Sequence, residues 1–325
     1  MAVKFFHEFL RGWQYNKTMS INELLSVFVN NLLPIILLAA AGFALSRFLQ
    51  IESRSLGRVV FYLFSPILIF DLLLENQLNL REAGVVIAYT VTALTVMGVL
   101  TYFIGSALKL ERHALTAVMV TTMFANTGNY GLPLISFAFG EATLPYAGVY
   151  FITTTFLFFS VGVFIASLGH MNVRAAALGL FKIPVMYAVL LAVLVNALNI
   201  TLPTLVMRTV TLASGATVPL MLILLGVELG RIELSNQWRA VQMSVALRLL
   251  IAPALALTLA VLFGLPVASR NAVVTQASMP TIVSSAVLAM EYQLDSKLVT
   301  TIIFVSTILS PLTLTPLLVY LGAHG

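Results

Sequence analysis

Asn126, Asn129 and Gln276 are the residues of this chain best suited to chemistry, and each stands in a segment that ordinary helix cannot accommodate. The asparagines lie in Ala125-Asn126-Thr127-Gly128-Asn129-Tyr130-Gly131-Leu132-Pro133, the glutamine in Gln276-Ala277-Ser278-Met279-Pro280. Spaced three apart, the asparagines share one face of any helical continuation. An amide donates to a carboxylate without the desolvation cost of a buried charge, and its carbonyl oxygen can face a cation. Half-helices ending at Gly128 and Gly131 would add backbone N–H groups at a positive dipole end. These groups together make an anion site of moderate affinity, with Thr127, Thr281 and Ser65 as hydroxyl candidates and Pro280 beside them. The plainer alternative is that the amides only repair a backbone interrupted by Gly128, Gly131, Pro133 and Pro280.

Other chemistry is scarce. Arg248 sits in the middle of an apolar run, where a charge costs about 2.5–3.5 kcal/mol on insertion scales and needs a partner or a task. It either staples helices by bonding freed backbone carbonyls or faces an anionic ligand. Asp71 is a coupling proton site or a side chain that snorkels to the outer interface, and Glu228 lies close to the end of its run. The histidines (His7, His113, His170, His324) fall in loops, tails or at a run boundary, which argues against a Ser/His dyad or a zinc helix. Cysteine is absent, and no glycine-rich phosphate loop with a lysine occurs. No metal, cofactor or enzymatic activity is therefore expected.

The elements that must position these residues are membrane helices. The 325 residues are 60% hydrophobic and 9% charged with mean hydropathy +1.03, too few charges for a soluble surface. The formal charge of +5 is scattered over short loops with no basic stripe, so nucleic acid is not an expected partner. Apolar runs of spanning length fall near 26–49, 56–75, 83–108, 113–138, 143–168, 180–199, 204–229, 238–263, 270–290 and 297–321. The connection 169–179 divides them into halves of five, 22–168 and 180–321, and an odd number per half requires opposite membrane orientations if the halves share a fold. Prolines agree with a repeat: Pro34 and Pro184, Pro66 and Pro219, and Pro133 and Pro280 are separated by 150, 153 and 147 residues. Residues 1–20 lack a signal-peptide run; Phe5, Phe6, Phe9, Leu10 and Trp13 suit a short interfacial helix or an unstructured extension.

At these motifs the chain resembles the auxin efflux carrier family, which includes bacterial organic-anion permeases. Asn126-Thr127 followed by Gly131-Leu132-Pro133-Leu134 is similar to the family's fourth-helix pattern. Met243-Ser244-Val245-Ala246-Leu247-Arg248-Leu249, Pro253-Ala254, Gln276-Ala277-Ser278-Met279-Pro280 and Glu291-Tyr292 follow it in order and spacing. Ala125 departs from the proline of the plant carriers, and their long cytoplasmic loop is missing. The resemblance implies an all-α integral membrane protein of ten transmembrane helices. These form two inverted five-helix repeats with broken helices 4 and 9 crossing, as in the bile-acid symporter fold. Spans 1, 2, 6 and 7 would be a scaffold with a homodimer contact, and spans 3–5 and 8–10 a moving transport domain. Asn126 would meet a carboxylate, Gln276 would line the pocket, and Pro133 and Pro280 would maintain the breaks.

The expectation is a secondary active transporter of a small organic anion in a bacterial inner membrane, working by elevator-type alternating access. Proton or sodium coupling is open, and the alternatives are a sodium-coupled bile-acid-type symporter or a non-transporting ligand sensor. Charge sets orientation: with the N-terminus outside, Arg47, Arg54, Arg58, Lys109, Arg112, Arg174, Lys182, Arg231, Arg239 and Lys297 fall on the cytoplasmic side, which favours both termini outside. A cysteine at Asn172 in this cysteine-free chain should then resist an impermeant thiol reagent in intact cells and react once the membrane is opened. Labelling from outside would reverse the orientation.

Overall fold

Proline placement explains much of the local helix geometry. The computed structural model describes residues 20–75, 79–167, 184–230 and 235–323. In these, π-helical turns occupy Phe28–Leu32, Val60–Phe64, Thr127–Gly131 and Leu247–Ile251, and each ends two residues before a proline: Pro34, Pro66, Pro133 and Pro253. A proline supplies no N–H and its ring crowds the carbonyl four residues back. Widening the preceding turn relieves that crowding, and the residue before each proline donates five residues back, as Ser65 does to Val60 and Ala252 to Leu247. A fifth π turn, Phe158–Gly162, has no such proline.

The described residues are helical, and the one extended pairing among them is an isolated bridge between Ala125 and Thr281. Among the described residues, seven helices are long and apolar enough to cross a membrane: α1 (Ile21–Phe48), α2 (Ser53–Leu74), α3 (Leu80–Ala107), α6 (Glu141–Ala166), α8 (Thr204–Leu229), α9 (Trp238–Leu262) and α12 (Ser296–Leu321). Between them lie α4 (Arg112–Met123), α5 (Leu132–Phe139), the shorter apolar α7 (Pro184–Ala197), α10 (Val267–Ala277) and α11 (Ser284–Glu291). The fourth and ninth apolar runs are thus each two short helices with a non-helical join. The N-terminal extension and the 169–179 connection fall outside the described residues.

Three of the described helix starts are capped by short polar side chains. Ser20 and Glu23 form a reciprocal capping box on α1, Asn79 accepts from the Arg81 N–H, and Asp295 accepts from the Leu298 N–H. Two groups of helices pack within themselves. α1, α2, α7 and α8 form one, where α1 against α8 is the most extensive helix pair and α2 against α7 the next. The second holds α3 to α6 with α9 to α12, and Tyr89 ties α3 to α9 through a 2.8 Å hydrogen bond to the Ala256 carbonyl.

Glycine permits the α1–α8 approach. A Cβ on Gly226 would lie 1.8 Å from the Ala39 carbonyl oxygen, and one on Gly42 would lie 2.1 Å from that of Ile223. Both obstacles are backbone, so a side chain must separate the helices. Gly226→Val should destabilise the protein by at least about 1–3 kcal/mol, read as a lower melting temperature in detergent. Gly215→Ala, with nothing within 4 Å of its Cβ, is the neutral control.

Candidate functional site

Two chain breaks meet as antiparallel extended segments. α4 stops at Met123, Phe124 is extended (φ −103, ψ 117), and the Asn126 N–H donates to the Pro280 carbonyl at 2.7 Å. In return the Ile282 N–H donates to the Phe124 carbonyl at 3.1 Å. These bonds replace the helical ones that each break forfeits, as a buried backbone requires. Thr281 pins the crossing twice: its N–H donates to the Ser306 hydroxyl at 3.3 Å, and its own hydroxyl donates to the Thr121 carbonyl at 2.9 Å.

Arg248 completes the arrangement. Helices α4 and α10 both end here, so their last carbonyls lack intrahelical donors and carry the negative ends of two helix dipoles. The π turn before Pro253 holds Arg248, and the whole side chain is buried. Nε donates to the Met279 carbonyl at 2.9 Å, Nη1 to the Thr122 carbonyl at 2.8 Å, and Nη2 to the Ala277 carbonyl. The guanidinium fork therefore bridges both broken spans, each through backbone alone. Of the two sequence readings of Arg248, this geometry is that of the staple.

Around the crossing, buried polar atoms remain without hydrogen-bond partners. They are Asn126 Nδ2, Thr275 Oγ1, Gln276 Oε1, Ser285 Oγ and Thr307 Oγ1, from the first break, the end of α10, the start of α11 and the α12 stretch that follows Ser306. The first helical bonds beyond the break are donated by the Gly131 N–H to the Asn126 carbonyl at 3.0 Å and by the Leu132 N–H to the Thr127 carbonyl, so the N–H groups of Gly128, Asn129 and Tyr130 precede the intrahelical ladder. Unpaired buried polar atoms are rare in folded chains and costly singly, so a group of them marks a place for a polar ligand or ordered water. The set offers an amide donor, backbone donors, hydroxyls that serve either way and one carbonyl acceptor.

Several sequence-based assignments change. The first break lies at Phe124–Asn126, where the two extended segments pair, and not at Gly128, Gly131 or Pro133. Gly128 and Gly131 belong to the π turn, and Pro133 to the first turn of α5, where a missing N–H costs nothing. Pro280 does lie in the second break. Gln276, read from sequence as an amide lining the pocket, has Nε2 donating to the Ala147 carbonyl at 3.2 Å, which leaves its oxygen as the free end. The Thr281 hydroxyl serves the crossing. Asn129 is turned away, towards Glu228 on α8, on which its π turn packs. Thr127 is buried beside Asn126, whereas Ser65 is buried on α2, a helix that packs chiefly on α7 and α8. Asp71 does not snorkel: it is 6% exposed with Oδ1 unpartnered, enclosed because α2 packs between those helices. Thr275 and Thr307 escaped the sequence reading; both are hydroxyls beside a break or its partner helix, a signal that a threonine-rich apolar helix hides.

Fold and site define a multi-pass membrane protein with an enclosed polar crossing between helices. The sequence pattern of the membrane transport protein family matches residues 27–175 and again 170–318. A transporter of Methanothermobacter thermautotrophicus, itself uncharacterised, is 31% identical over 266 residues, 81% of this chain and 87% of that protein. A second uncharacterised transporter, from Methanocaldococcus jannaschii, is 26% identical over 275 residues, 81% of this chain and 88% of that one. The chain belongs to the membrane transport protein family, that of the auxin efflux carriers.

Gly131 offers a test of the crossing's geometry. A Cβ there would lie 2.0 Å from Gln276 Oε1, the movable end of a side chain, so Gly131→Ala should shift that amide while the helices stay in place. The expected outcome is a folded protein whose ligand affinity falls as it does in Gln276→Ala. Equal affinity in Gly131→Ala and wild type would take Gln276 out of the site.

Proposed function

We propose that the protein is a secondary transporter of a small organic anion, a carboxylate, moved by elevator-type alternating access at the crossing of the two broken spans. The observation that carries this reading is Asn126 Nδ2, a buried amide donor with no partner at a helix break in a membrane-transport chain. A carboxylate accepts from that amide and from the N–H groups of Gly128 to Tyr130 at the positive end of the second half-helix. Gln276 Oε1 and the hydroxyls of Thr275, Ser285 and Thr307 suit a hydroxyl or other donor on the same ligand.

The architecture in this reading is two inverted repeats of five spans. Two family matches of equal length that meet near the 169–179 connection support it, as do the three proline offsets. α1, α2, α7 and α8 act as the scaffold, and in a homodimer they supply the contact between copies. The remaining helices move as a body, carrying the crossing with them. Both termini lie outside the plasma membrane. Enclosed backbone breaks near midspan are the known setting for such sites.

A panel of small carboxylates, titrated by calorimetry into the detergent-solubilised protein and assayed for uptake into proteoliposomes, tests the reading. Asn126→Ala and Gln276→Ala should remain folded and lose about 1.5–3 kcal/mol of binding, roughly ten- to a hundredfold in affinity. Pro280→Ala should reduce uptake more than binding. Unchanged binding in both amide variants would move the site elsewhere, and binding without uptake would favour a sensor.

A further inference from the structure

We propose that Glu228 and Asn129 form a monovalent-cation site, for a proton or an alkali-metal ion, at the seam between the scaffold helix α8 and the broken fourth span. The proposal rests on the elevator reading above, because only there do these two residues belong to bodies that move past each other.

Three observations carry it. Glu228 lies in the last turn of α8 and faces Asn129 of the π turn directly beyond the break, a turn that packs on α8. Its other oxygen, Oε2, is enclosed and has no hydrogen-bond partner. A carboxyl group so placed has one neutral amide for company, and a second partner carrying positive charge is what its chemistry lacks.

Among the described residues, the surroundings do not supply that charge. The helices packed on α8 are α1, α2 and the α5 segment with its π turn. On α1, Arg47 is exposed and lies over the Phe43 ring at 5.8 Å. On α2, Arg54, Arg58 and Glu52 are exposed at the end that packs near Leu224. Asp71 lies towards the far end of α2, since Thr217 of α8 already bonds the Phe64 carbonyl and the two helices run antiparallel. From the fourth span the facing group is Asn129, while the Tyr130 hydroxyl is bonded to Ser310. Arg231 and Glu233 follow in the chain, outside the described residues.

The repeat supplies the third observation. Glu228 stands nine residues after Pro219, and Glu75 nine after Pro66; Asn129 stands four before Pro133, and Gln276 four before Pro280. The repeat thus pairs Glu228 with Glu75 and Asn129 with Gln276. In an inverted-repeat transporter the two end states exchange the conformations of the halves. Glu228 with Asn129 serves one end state. A cation taken up at Glu228 favours the end state in which Asn129 reaches it, and its release frees the moving body.

The test uses the full chain in lipid nanodiscs with protons and sodium as probes. Melting temperature is followed from pH 5 to 9 in choline, and at fixed pH with sodium replacing choline. One of the two cations should raise the wild-type melting temperature by at least about 2 °C, and Glu228→Gln should lose that response. Spin labels at Arg47→Cys and Lys109→Cys should report two distances whose ratio follows the same cation in wild type and ignores it in Glu228→Gln. A response to pH alone assigns a proton, and a response to sodium alone assigns the ion. Equal responses in wild type and Glu228→Gln, or none in either, would overturn the proposal. Carboxylate calorimetry on the same samples separates the two readings: a cation response that depends on Glu228 with no carboxylate bound keeps this site and removes the organic anion, and the reverse result does the opposite.

Discussion

Everything at the centre of this protein depends on one problem: two helices stop inside the membrane, and their last carbonyls need donors that lipid cannot provide. Arg248 answers it with a single side chain. Its fork reaches the ends of α4 and α10 at once, so the position of one break is set relative to the other. A planar group with five donors can do this where an ammonium cannot. The cost of burying the charge is offset by bonds to carbonyls at two negative helix ends, a compensation that needs no carboxylate nearby.

Once the crossing is held by backbone and Arg248, the remaining side chains there are released from structural work. Asn126 Nδ2, Gln276 Oε1 and three hydroxyls keep unused hydrogen-bonding capacity in an enclosed place. The same logic divides the amides. Asn129 and Asn126 are three residues apart on one turn, yet the π turn between the break and α5 sends Asn129 towards Glu228 and leaves Asn126 at the crossing. Proline is behind both placements: Pro133 accounts for that π turn, and Pro253 for the one that carries Arg248 inward.

The helical, membrane-spanning character and the two interrupted runs were legible because hydropathy and breaker residues report directly on lipid. The family, too, could be recognised from its motifs, and the comparisons agree. The exact site of the first break was not. Glycine and proline marked residues 128–133, but the extended residues are 124–126, selected by pairing with Thr281 some 155 positions away in the sequence. The same holds for Gln276, whose free end is set by the Ala147 carbonyl on α6, and for Asp71, whose burial is set by packing against α7 and α8. Local sequence reports which bonds a segment cannot make; the partners that replace them are a property of the assembled helices.

The claim on which the account turns is that Arg248 holds the crossing while the amides meet the ligand. Melting temperature and carboxylate affinity measured together on Arg248→Ala and Arg248→Lys test it most directly. Loss of the clamp should cost about 3–5 kcal/mol of stability, with or without ligand, and lysine should restore only part of it. A Arg248→Ala protein that melts like the wild type and has lost carboxylate binding would contradict the account, placing the guanidinium opposite the substrate's charge.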